Sequence, residues 1–239
     1  MSSSTHNNEA AVPKYEWDFD VPNTPFWKDM EFKVAKNFLN CFQPEEVDKI
    51  HFDATLSVQD RLRFLLSQLQ SRLDAGQAAA APQELHVAQP EEWFRVLLGI
   101  ETMQRFLDLP QEEAQTIRLM LATTTGSARF SWLNMLSELT LRNKDYAEAE
   151  SLAREVLPWI QTHEKMGVDA PQAFGTTKIL IECLWKQGGA KRDEARLLLD
   201  ETFVLIDSMG KSRFSKYQEE EREMLRDLKA RLEADPPAV

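Results

Sequence analysis

The sequence predicts an all-α fold, a series of stacked antiparallel helix hairpins with extra N-terminal helices and a C-terminal capping helix. Three observations carry this. Pro110, Gly126, Gly167, Gly188-Gly189 and Gly210 divide the second half into segments of helical length. Within those segments apolar residues recur three and four apart, which gathers them on one side of a helix. No window alternates like a strand except Tyr15, Trp17, Phe19 and Val21.

In chain order, residues 1–12 are polar and read as a disordered tail. Residues 13–25 hold three prolines and cannot be helical, so their alternating aromatics predict an extended strap laid on a helical surface. Together with the N-terminal helices this strap makes up 13–75. Thr24 and Pro25 look like the start of a first helix, with Phe26, Met30, Val34, Phe38 and Phe42 on one stripe. Pro44-Glu45-Glu46 opens a short second helix. Ser57 and Asp60 give a capping signal for a third, running to Asp74 with Leu62, Leu65, Leu66, Leu69 and Leu73 on its apolar face. Residues 76–90, rich in alanine and closed by prolines, predict a linker or mobile loop. Helices are then expected at 91–108, 111–125, 128–143, 145–163, 171–187, 191–208 and 211–233. Residues 91–233 thus form a single helical domain, and 234–239 a tail.

Residues 130–163 carry a more specific pattern. Leu133, Leu136, Ser137 and Thr140 mark the face of one helix, and Asn143-Lys144-Asp145 turns the chain. Tyr146 opens the next helix, with the small residues Ala149 and Ala153 where the two cross. This string resembles a tetratricopeptide repeat (TPR). A looser copy spans Phe174 to Met209, with Thr177, Leu180, Ile181 and Leu184 on its first helix and Ala195, Leu199 and Thr202 on its second. A weaker one covers 93–125. The helix at 211–233, apolar on one side at Phe214, Tyr217, Leu225 and Leu228, suits the capping role. The resemblance implies a TPR-like right-handed superhelix with degenerate repeats.

Composition narrows the class of function. Of 239 residues, 43% are hydrophobic and 28% charged, as in an ordinary folded chain. The net charge of −11 opposes binding to nucleic acid or an anionic membrane, so neither is expected as a partner. No run reaches the roughly 18 apolar residues of a membrane span. Met1–Ala11 lacks the apolar core of a signal peptide, and Cys41 and Cys183 sit in apolar helical patterns, which together predict a cytoplasmic or nuclear address.

No reactive constellation is legible. His6, His51, His86 and His163 stand outside any Glu-x-x-His or His-Glu-x-x-His spacing, so no metal, cofactor or catalytic residue is expected. Gly210-Lys211-Ser212 lacks the earlier glycine of a phosphate loop, since Leu205 stands there. In the repeats that this chain resembles, the first helix of each pair lines an inner groove. That implies a partner-binding face at Asn134, Glu138 and Arg142 on one helix, and Lys178, Glu182, Trp185 and Lys186 on the next. The expected function is a non-catalytic protein–protein interaction module or scaffold taking a protein or peptide partner, with a homo-oligomer also open. The alternative is a small-molecule-binding or catalytic helical domain with a pocket between the N-terminal helices and the repeats.

Overall fold

The computed structural model describes residues 19–234, and among them there are helices and no strands. The chain divides into two compact units, the first ending at Asp108 and the second beginning at Leu109.

In the first unit, α1 (Phe32–Leu39), α3 (Val58–Ala80) and α4 (Leu85–Ala88) pack on α5 (Pro90–Phe106), with the short α2 (Pro44–Val47) after α1. The expected first helix begins late. Asp29 takes φ +65, a left-handed value that breaks the helix, so residues 24–30 form consecutive turns and α1 starts only at Phe32. The turns are held from above by the buried Arg61, whose guanidinium donates to the carbonyls of Phe26 and, at 3.0 Å, Lys28. Their aromatics still reach the core. Phe26, Trp27, Phe38, Phe52 and Phe64 form one cluster of tilted and edge-on rings.

Gly99 sets the distance between helices here. A Cβ at that position would lie 3.0 Å from Leu69 Cδ1 and 3.3 Å from both the Asn37 carbonyl and Cys41 Sγ. Without one, α5 comes close enough to α1 for Asn37 Nδ2 to donate to Thr102 Oγ1 at 2.9 Å. Arg72 of α3 then joins Glu46 (3.0 Å) to Glu92 of α5 (2.9 Å) while lying over the Phe42 ring.

Two expectations about the middle of the chain are corrected. The linker or mobile loop at 76–90 is mostly helical, since α3 runs on to Ala80 and α4 follows, with Leu85 buried against Gly76. Alanines are strong helix formers, and a helical glycine is tolerated where a neighbour packs over it. The boundary falls instead inside 91–233, so α5 belongs with the N-terminal helices. Of the strap at 13–25, Tyr15 and Trp17 lie outside the described residues; Phe19 and Val21 are half-buried.

The second unit contains α6 (Pro110–Thr123), α7 (Gly126–Arg142), α8 (Tyr146–Thr162), α9 (Pro171–Gln187), α10 (Gly189–Ser208) and α11 (Gln218–Ala234). Two 3₁₀ turns, Met209–Lys211 and Ser215–Tyr217, precede α11. Helix α7 ends in a left-handed turn at Lys144 (φ +64), where the Asp145 N–H reaches back to the Thr140 carbonyl and the Lys144 N–H to that of Leu141. Asp145 then caps α8 by accepting from the Glu148 N–H.

The reversal makes α7 and α8 antiparallel, as Phe130 near the start of one stacks on Trp159 near the end of the other (4.6 Å between ring centres). Helices α8 and α9 reverse again, because Gln187 at the end of α9 donates to Glu150 and to the Tyr146 carbonyl at the start of α8. At the next joint Gly188 and Gly189 take φ +71 and +53, which a side chain would resist. Two buried clusters follow from this order. One gathers Ile117, Leu133, Leu136, Val156 and Ile160 from α6 to α8; the other gathers Ile181, Leu184, Leu199, Ile206, Leu225 and Leu228 from α9 to α11. Phe214, between the two 3₁₀ turns' residues, packs against both.

Candidate functional site

Helices α7, α9 and α11 lie side by side and run in the same direction. Asn134 of α7 accepts from Thr176 Oγ1 of α9 at 2.7 Å. Further along, Lys178 of α9 meets Glu221 of α11, and Glu182 meets Arg231. The partner numbers of α9 and α11 rise together, as parallel neighbours require, and α7 shares the direction of α9 because both are antiparallel to α8.

Between these three helices lies an open groove of about 750 Å³. Its walls carry Asn134, Glu138 and Arg142 from α7 and Lys178, Glu182 and Lys186 from α9. These residues stand three or four apart on each helix, so they point the same way. Leu141, Ile179 and Leu228 add apolar surface.

Trp185, expected with them, is elsewhere. It is 7% exposed, belongs to the cluster of Ala195 and Leu199, and is covered by Arg192 and Arg196 at 4.8 and 5.5 Å from its ring. An indole at the edge of the α9 seam buries more apolar area against α10 than it could in an open groove.

The polar groups on the α11 side are already engaged. Lys178 Nζ donates to Glu221 at 2.9 Å and lies 3.4 Å from the Met224 sulfur. Arg231 grips Glu182 with both terminal nitrogens, at 3.0 and 3.2 Å. Glu138 and Lys144, by contrast, are exposed. The groove also includes residues that sequence reasoning missed: Lys144, Tyr146, and Met224, Asp227, Leu228 and Arg231 of α11. Their spacing on α11 is that of one helical face, a signal readable only once α11 is seen to lie against α9.

Glu150 ties the starts of α8 and α10 to the end of α9. Burial pushes its carboxyl upward, but donors from Lys191, Gln187 and Arg154 outweigh this and hold it at about 2. It is an ionised structural carboxylate at neutral pH.

Chemically, the groove offers amide, carboxylate, ammonium and guanidinium groups. Among the described residues no three His, Cys, Asp or Glu side chains converge as a metal site. Burial pushes both Cys41 and Cys183 up to about 12, so neither is a thiolate nucleophile at neutral pH. No helix among the described residues is long and apolar enough to cross a membrane. No protein-family model, curated protein or solved structure matches the chain.

Proposed function

We propose that the second unit is a non-catalytic protein-interaction module of the tetratricopeptide-repeat type. In this reading α7, α9 and α11 form the inner row of a right-handed stack of hairpins. The groove takes an extended segment of a partner protein, and the chain acts as a scaffold subunit.

The observation that carries this is the convergence of Asn134, Glu138, Arg142, Lys178, Glu182 and Lys186 on one open groove. An extended peptide presents unpaired N–H and C=O groups along its length, and polar side chains spaced by helical turns of ~5.4 Å can meet them in succession. The groove is open rather than closed around a small molecule, which favours a polymer over a metabolite.

Site-specific photo-crosslinking in the full chain tests the assignment. A crosslinker at Glu138 or Lys144 captures a defined protein, whereas one at the exposed Ala147 or Ser151 of α8 does not. Equal capture from all four positions, or none from the first two, overturns the reading.

A further inference from the structure

The outer face of α10 carries exposed aliphatic side chains. Helices α8 and α10 occupy matching places in successive hairpins, as shown by their buried crossing residues: Ala149 corresponds to Ala195, Ala153 to Leu199, Val156 to Thr202 and Ile160 to Ile206. In that register the outward residues of α8 include Ser151 and Pro158, both exposed. Their counterparts on α10 are Leu197, 60% exposed, and Val204, 69% exposed. Leu205 extends the same surface. Leu197 and Val204 are one heptad apart and therefore stand on one line along the helix.

The flanks of this ridge are acidic. Asp200 lies on one side of the line and Glu201 on the other, both exposed. Neither makes an ion pair or hydrogen bond with another described residue, whereas the nearby Asp193, Glu194 and Asp207 are paired with Arg196, Arg154 and Arg222. Helix α10 packs on α9 and α11 with its other sides.

We propose that this ridge docks a basic amphipathic helix from another protein: aliphatic residues along one face, lysines or arginines along both edges. The form of the partner follows from the surface. A helix has its backbone hydrogen bonds closed internally, so α10 offers no edge for an added strand. Two leucine-like positions a heptad apart suit the ridge-and-groove packing of a second helix, for which the 20 residues of α10 give a track of about 30 Å. The unpaired acids on both flanks call for cations on both edges of the partner. A second copy of this chain is the poorer occupant, because it would bring the same acids against them and a net charge of −11 against its like. This surface is separate from the groove and does not depend on it.

The probe is a labelled 20-residue helical peptide with leucines on one face and lysines on both edges, titrated into the full chain. Binding is expected, with amide shifts centred on α10. The exposed-face variant Leu197→Gln/Val204→Thr, which removes the aliphatic line, weakens it at least about tenfold, as does Asp200→Lys/Glu201→Lys. A peptide with glutamates in place of the lysines does not bind. The proposal is overturned if the lysine peptide fails to bind, if neither variant pair weakens it, if the glutamate peptide binds equally, or if the shifts map to the α7–α9–α11 groove. It is also overturned if the wild-type chain dimerises through this face and Leu197→Gln/Val204→Thr makes it monomeric in sedimentation.

Discussion

Lys178 and Glu221, on α9 and α11, form an ion pair of 2.9 Å in which the ammonium is 19% and the carboxylate 5% exposed. A pair this far out of water is asymmetric in its energetics. Its formation adds little over an apolar contact, yet its disruption strands a charge. It is therefore a sensitive marker of how α11 is seated.

Replacing Glu221 with Gln leaves Lys178 without its counter-charge and lowers unfolding free energy by about 2 kcal/mol in urea titrations. Substituting both partners together, Lys178→Met with Glu221→Leu, recovers most of that loss. A double variant as unstable as the sum of the two singles means that the side chains are not coupled.

Lys144 stands at φ +64 in the turn between α7 and α8. A side chain there costs about 1–2 kcal/mol, part of which glycine gives back through the freedom of its unfolded chain. Lys144→Gly is expected to raise stability by about 0.5–1 kcal/mol and Lys144→Val to lower it. The midpoint of thermal unfolding reads both, and a lower midpoint for the glycine variant refutes the argument.

Glu150 gives the second unit an acid-sensitive joint. Its folded value of about 2 lies below that of an unfolded glutamate, near 4.3, so its contribution is complete above the unfolded value and declines as pH falls towards 2. With a side chain only 12% exposed, the shift corresponds to about 2–3 kcal/mol. Glu150→Gln is accordingly destabilising at pH 7, and the gap between variant and wild type closes on acidification from about pH 5 to pH 2. A gap that is the same at pH 7 and pH 3 contradicts the assignment.

Burial holds the two thiols protonated, with Cys41 and Cys183 both raised to about 12. At pH 8 the native chain reacts with an aromatic disulfide reagent far more slowly than the denatured chain, in which both thiols titrate near 8.5. Stoichiometric labelling of the folded protein within the mixing time argues against the burial seen for either one.

The parts legible in the sequence are those where local chemistry and tertiary packing agree. Pro110, Gly167 and Gly188 punctuate helices that exist, and the turn at Asn143–Asp145 is where the chain reverses. The start of α1 was not legible, because an aspartate at positive φ and an arginine 33 residues ahead of Lys28 together override a good capping signal. Residues 76–80 read as a linker by composition, although alanine favours a helix and Leu85 folds back over Gly76. For the groove, the residues named on α7 and α9 came from the repeat resemblance, and all but one line it. The exception was Trp185, whose size made burial against α10 decisive. The α11 wall was hidden behind two 3₁₀ turns and a run of charges whose register no local rule fixes.

The common direction of α7, α9 and α11 has an electrostatic consequence. Each helix ends with its free carbonyls at the same end of the groove, and each carries roughly half a negative charge there. The basic side chains in those last turns are Arg142, Lys186 and Arg231, one per helix. They lie where they offset three aligned dipoles, although Arg231 also holds Glu182. The field at that end of the groove is thus weaker than three formal cations would produce.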